Sequence, residues 1–199
     1  MVLKPIYDQV GIKRVVISTY QAVSGAGKEA IDDLESQSRT NLSGKEYKAK
    51  KFAYPIAFNV IPQIDVFLEN GYTKEEMKMV NEIKKIMGDE EIAVTATTVR
   101  VPVFVGHSEV VYIETKEKIS AEEVKKLLKS ASGVEVQDNP QKAIYPTPRE
   151  IAGKDPVFVG RIREDISIPN GIALWCVADN LRKGAALNAV QIAEWLIKN

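Results

Sequence analysis

The sequence is poor in the residues that most readily betray a chemistry. Its 199 residues include one cysteine, Cys176, and one histidine, His107. A lone cysteine excludes an internal disulfide and fits a reducing compartment, so a cytoplasmic location is expected. With one Cys and one His, the clustered ligands of a structural zinc site are missing, and no metal centre is expected. Neither sign of charge is in excess, since Lys and Arg total 27 and Asp and Glu total 27. A chain of zero net charge lacks the basic field that nucleic acid or an anionic membrane would need in a partner. No apolar run approaches the roughly 20 residues that cross a bilayer. The opening "MVLKPIYDQVGIKR" has neither the apolar stretch nor the cleavage site of a secretory signal. Walker and GxGxxG loops are absent as well.

What is present reads as an ordinary globular domain, 45% hydrophobic and 27% charged, with length enough for one substantial core. "LKPIYDQVG" has the spacing of a helix (Leu3, Ile6, Tyr7, Val10) with Gly11 as its stop. It has no capping residue at its start, as expected of a domain cut from a longer protein. "KRVVISTYQ" is a β-branched strand, followed by a glycine turn at Gly25 and Gly27 and a polar helix. Residues 40–72 lack a period and read as an irregular, partly helical excursion. "TKEEMKMVNEIKKIMG" and "SAEEVKKLLKSASG" are helices opened by the capping boxes Thr73/Glu76 and Ser120/Glu123. In the first of these, Met77, Val80, Ile83 and Met87 are expected to share the core face. "EIAVTATTVRV", "SEVVYIETK", "PVFVGRIRED" and "GIALWCVADN" are strands, and 134–156 is turn-rich. A terminal helix spans 184–199, with Ala186, Ala189, Val190, Ala193, Leu196 and Ile197 on one face. Strands and helices are mixed, which predicts an α+β domain: a mixed β-sheet flanked by helices over 1–199.

Two places could carry chemistry. His107 follows Gly106, seven residues after Arg100, in "VRVPVFVGHSE". Histidine suits proton transfer near neutral pH, and arginine suits a carboxylate. An odd spacing puts two residues of one strand on opposite faces, so a shared site requires the chain to bend between Pro102 and Gly106. The turn "SGAG" could present backbone N–H groups to an anion or an amide, or be a tight turn only. Cys176, within an apolar run, reads as a core thiol. Glu75 and Lys78 read as a solvated pair.

Taken together, "VVISTYQAVSGAGKEA", "YTKEEMKMVNEIKKIMG", "VRVPVFVGHSE", "FVGRIRED" and "DNLRKGAALNAVQIAE" resemble, in order, the C-terminal catalytic and dimerisation half of the aspartate-β-semialdehyde dehydrogenases. The resemblance implies a fold like the C-terminal domain of glyceraldehyde-3-phosphate dehydrogenase-type enzymes. It also implies NADP-dependent interconversion of L-aspartyl-4-phosphate and L-aspartate-4-semialdehyde, with release or uptake of phosphate. That reaction lies on the route to lysine, threonine, methionine and diaminopimelate. In it a cysteine thiolate carries the acyl group as a thioester and hydride transfer takes it to the aldehyde.

By the same resemblance His107 is the general acid/base, and Arg100 holds the substrate α-carboxylate. Gln21 orients the substrate, while Glu75 and Lys78 meet its amino group and phosphate. Ser24, Gly25 and Asn180 touch the nicotinamide half of NADP. The family's N-terminal Rossmann domain and its nucleophile have no counterpart in this sequence, and Cys176 does not match the nucleophile's position. The chain alone is therefore expected to be inactive, to pair as a homodimer, and to offer its terminal helix to the missing Rossmann domain. The apolar stretch 52–68 is expected to be buried in that dimer. Two other readings remain: a stand-alone interaction domain, and a related acyl-phosphate reductase such as the N-acetyl-glutamyl-phosphate enzyme.

Overall fold

A computed structural model of the chain describes residues 1–198. Its centre is a six-stranded sheet in the order β2-β1-β3-β6-β5-β4. The strands are β1 (Ile12–Gln21), β2 (Ala93–Arg100), β3 (His107–Thr115), β4 (Val134–Val136), β5 (Val157–Glu164) and β6 (Gly171–Ala178). β1 runs parallel to β2 and antiparallel to β3, β3 and β5 both run antiparallel to β6, and β4 runs parallel to β5. The expected α+β mixed sheet is the observed architecture.

Helices α1 (Leu3–Val10), α3 (Lys74–Met87) and α4 (Ala121–Lys129) cover one face. There Ile12, Val15 and Ile17 of β1, Val111 and Ile113 of β3, and Ile172 and Leu174 of β6 form the main core with Ile6, Val124 and Leu128. Both capping boxes are formed: Thr73 and Ser120 accept the N–H of Glu76 and Glu123, whose side chains return to the cap N–H groups. The core face of α3 differs from the expected one. Met79, Ile83 and Met87 pack on the sheet, and in the first turn it is the Glu76 carboxylate that turns inward, accepting the N–H of Thr98 at 2.8 Å.

On the opposite face, towards β5 and β6, the short helix α5 (Pro148–Ile151) lays Ile151 on Phe158 and Val177. Tyr20 and Tyr112 stand exposed on the rest of it, and the Tyr20 and Trp175 rings meet at 5.7 Å.

The excursion is pinned to α2 (Lys28–Leu42) by two buried polar residues. Gln37 accepts the N–H groups of Ile56 and Ala57, and Asp33 takes the Tyr47 hydroxyl at 2.6 Å. The apolar stretch 52–68 is therefore divided. Ile56, Ala57, Ile61 and Ile64 are buried within the chain itself, whereas Tyr54, Phe58, Val60, Val66 and Phe67 are exposed.

The terminal segment is a π-type turn at Arg182–Ala186 running into α6 (Leu187–Lys198), and residue 199 of the predicted helix lies outside the described residues. No side chain of α6 is buried.

Candidate active site

The odd spacing between Arg100 and His107 is resolved by topology. β2 and β3 are not neighbours, because β1 lies between them. Residues 101–106 therefore cross the C-terminal end of β1 rather than bending one strand, and the last residues of β1 and β2 and the first of β3 share one sheet edge. Gln21 pairs in register with Arg100, and Thr19 with Glu109. Side chains alternate along a strand, so Arg100, Gln21 and His107 fall in one row on the core-bearing face.

The glycine turn sits over that row. It is a 3-10 turn at Val23–Ala26, stitched to the crossing segment by Val23 N–H to Val103 O at 2.9 Å and Ser24 N–H to Phe104 O at 3.1 Å. Its entry residue, Ala22, holds both the Arg100 and the His107 side chain through its backbone. The Ala22 N–H donates to His107 Nδ1 at 3.1 Å, and the Ala22 carbonyl accepts from Arg100 Nη1 at 2.7 Å. A backbone contact has no side-chain signature, so nothing in the sequence points to Ala22. Gly25 then lies flat on the pair. A Cβ there would meet Arg100 Nη1 at 3.0 Å and the His107 ring at 3.1 Å.

Because Nδ1 is used as an acceptor, the neutral imidazole carries its proton on Nε2. Burial, reinforced by the Arg100 charge and opposed by Asp179, lowers the His107 pKa from 6.5 to about 4, so the ring is neutral at pH 7. Arg100 is 5% exposed. Burial lowers its pKa, with Glu75 opposing. The Phe52 ring lies 5.7 Å from the guanidinium, and Nε is buried with no hydrogen-bond partner. A buried, unsatisfied guanidinium N–H is a donor awaiting an acceptor.

Gln21 Nε2 donates to Glu75 Oε1 at 3.5 Å, a long contact, and Lys78 Nζ stands 3.8 Å from Glu75 Oε2 with most of its side chain in solvent. Gln21, Gly25, Glu75, Arg100 and His107 thus converge, and Lys78 marks the rim. Ser24 and Asn180 form a second pair beside them. Their side chains hydrogen-bond at 3.0–3.1 Å, and Asn180 Oδ1 also accepts the Gly106 N–H at 2.9 Å. On its other side His107 borders a cleft of about 380 Å³. Glu109, Cys176, Ile83 and Met87 help to line it. Burial pushes the Cys176 thiol well above its ordinary pKa and raises that of the Glu109 carboxyl. An inert thiol is what the sequence predicts at Cys176. Among the described residues, no group of three or more His, Cys, Asp or Glu could hold a metal ion, and no helix is long and apolar enough to cross a membrane.

A fixed arginine with donors to spare beside a neutral imidazole N–H can hold a carboxylate and stabilise negative charge on a nearby oxygen by a hydrogen bond.

Comparison with known proteins places the chain in a family. Residues 3–183 match the model of the semialdehyde dehydrogenase dimerisation domain. The aspartate-semialdehyde dehydrogenase of Aquifex aeolicus (strain VF5) is 61% identical over 197 residues, covering 98% of this chain and 58% of that protein. A crystal structure of aspartate semialdehyde dehydrogenase II from Vibrio cholerae, complexed with ASA, superposes with a TM-score of 0.96 at 55% identity, covering 100% of this chain and 58% of that one. That of the Candida albicans enzyme with NADP gives 0.70 at 26% identity, covering 97% and 52%. The chain spans about 58% of the length of the curated relatives it matches.

Proposed function

The chain belongs to the semialdehyde dehydrogenase dimerisation-domain family, and on that premise we propose that it is the substrate-binding and dimerisation half of an aspartate-semialdehyde dehydrogenase. The whole enzyme would interconvert L-aspartyl-4-phosphate and L-aspartate-4-semialdehyde with NADP(H), supplying lysine, threonine, methionine and diaminopimelate synthesis. One observation carries the reading: Ala22 and Gly25 hold a donor-rich arginine and a neutral imidazole against each other at a single sheet edge.

In this scheme Arg100 clamps the substrate α-carboxylate with the guanidinium N–H groups that Ala22 leaves free. Glu75 receives the amino group, Gln21 orients the chain between them, and Lys78 meets the phosphate from the rim. The thiolate and most of the dinucleotide site belong to the part of the relatives that this chain does not span, and Cys176 is too buried to substitute. When bound, NADPH supplies the hydride. His107 Nε2–H donates a hydrogen bond to the substrate oxygen as negative charge gathers there. Where a proton is transferred outright it comes from the imidazolium, and the neutral ring left behind recovers it when the carbonyl re-forms.

The residues present fit the nicotinamide end of such a cofactor in part. Gly25 is exposed, and Asn180 keeps one Nδ2 hydrogen beyond its bond to Ser24. Ser24 is 4% exposed with its hydroxyl engaged by Asn180, so its part is to hold Asn180. The exposed apolar side of α6, including Val190, Leu196 and Ile197, is assigned to the nucleotide-binding domain.

Arg100→Lys in the complete enzyme tests the clamp. An ammonium cannot reproduce a planar two-point grip, and losing one or two charge-assisted bonds should raise KM on the order of 10–100-fold. A change in KM smaller than threefold would remove Arg100 from the substrate site.

The second role is self-association. The open sheet face exposes Tyr20 and Tyr112, and the excursion exposes Tyr54, Phe58 and Phe67, large side chains suited to a partner surface. Phe58 holds a left-handed backbone, φ 60°, an unusual conformation for a bulky residue. We assign both surfaces to a two-fold homodimer burying more than about 1,200 Å². Sedimentation equilibrium at micromolar concentration should find twice the chain mass, and a monomer there would refute it.

A further inference from the structure

Asp179 has no part in the scheme above, yet its position is hard to explain as packing alone. It is a carboxylate 3% exposed, immediately after Ala178, the residue on β6 that pairs with His107. Among the described residues its carboxylate oxygens accept three backbone N–H groups: Leu181 and Arg182 at 2.8 and 3.0 Å, and Gly153 at 2.7 Å. These contacts fasten the turn that opens the terminal helix to the loop after α5. They also fix Asn180, whose side chain bridges Ser24 and the Gly106 N–H. Gly106 is the corner from which His107 projects. Its φ is +96°, and Pro148 fills the space a Cβ would need, 3.0 Å away.

We propose that Asp179 is a positioning residue for His107: it locks the Asn180–Gly106 corner and supplies the fixed negative charge that supports an imidazolium at position 107.

The other charged groups around the ring cannot fill that role. Arg100, from β2, repels an imidazolium. Glu109, on the same strand as His107, is pushed by burial towards its uncharged form. Glu82 of α3 and the Met1 end of the chain lie along the cleft wall. Asp179 is the carboxylate that raises the ring's affinity for a proton against burial, Arg100 and the Ala22 N–H that a second ring proton must displace from Nδ1. A base whose pKa is driven too low accepts no proton during turnover, so this charge keeps His107 usable. The proposal rests on the reading of His107 as the acid/base residue.

Its test needs no turnover. Because His107 is the only histidine, an NMR titration of this chain reads one imidazole. At pH 4 the parent ring is about half charged. In Asp179→Asn, proton affinity should fall on the order of tenfold, leaving the ring mostly neutral at that pH. Asp179→Glu should recover at least half of the loss. Should Asp179→Asn not fold, Asp179→Ser, whose hydroxyl can cap the Leu181 and Arg182 N–H groups without charge, takes its place. A folded neutral variant with the parent's proton affinity would overturn the proposal, as would a Glu variant as displaced as the neutral one. Either result leaves the acid/base role of His107 to its own kinetic test.

Discussion

Replacing His107 with alanine in the complete enzyme should lower kcat on the order of 10²–10⁴-fold, with KM changed by no more than a few-fold. The asymmetry follows from the geometry. His107 holds its place through Nδ1 and the Ala22 N–H, so its only remaining polar atom is the Nε2–H. A neutral N–H adds little grip to a substrate already held by a guanidinium. Its value appears when charge builds on the reacting oxygen, and an interaction made only then lowers kcat rather than binding when it is lost. The measurement is steady-state kinetics on the purified variant, with circular dichroism to establish its fold. A kcat within tenfold of the parent would make the residue structural, and a loss confined to KM would make it a binding group.

Much of this arrangement is legible in the sequence, and the parts that are not share a cause. Helices α3 and α4 announce themselves because capping boxes are local, with both partners three residues apart. The strands do so because β-branched runs do not depend on what lies beside them. The register that brings Arg100 to His107 is different in kind. Pro102 and Gly106 mark an interruption, but that β1 lies between the two strands is a long-range pairing fact. The three-residue strand β4 is hidden for a similar reason, in a stretch that reads as turn. It is an edge strand that exists only by pairing Val134–Val136 with Val157–Val159. In α3 the hydrophobic pattern points to Met77, whereas the first turn buries Glu76. Its carboxylate is paid for by the N–H groups of Thr73 and Thr98, and a hydrophobicity pattern cannot foresee a satisfied buried charge. The same blindness applies to Asp179 and to the backbone of Ala22.

Gly25→Ala should cost kcat/KM on the order of 10²-fold while leaving the fold intact. The backbone at Gly25 is not in the left-handed region, so an added methyl is opposed by its neighbours alone. Those neighbours, at 3.0–3.1 Å, would have to retreat by a few tenths of an ångström. Neither can do so freely. Arg100 Nη1 is tied to the Ala22 carbonyl and His107 Nδ1 to the Ala22 N–H, so yielding means breaking one of these bonds or tilting the turn. Misplacement of reacting groups by about an ångström can cost 10²-fold in rate. Stability should change little, because the roughly 0.4–1 kcal/mol that alanine contributes by narrowing the unfolded ensemble is offset by the crowded contact. Gly27 supplies the contrast. Nothing lies within 4 Å of its Cβ position, but its φ is +92°. Gly27→Ala should therefore lower the melting temperature and spare kcat/KM in the molecules that remain folded. Paired melting curves and kinetics separate the two cases. A Gly25→Ala enzyme with parental kcat/KM would mean that Arg100 and His107 have room the present geometry denies them.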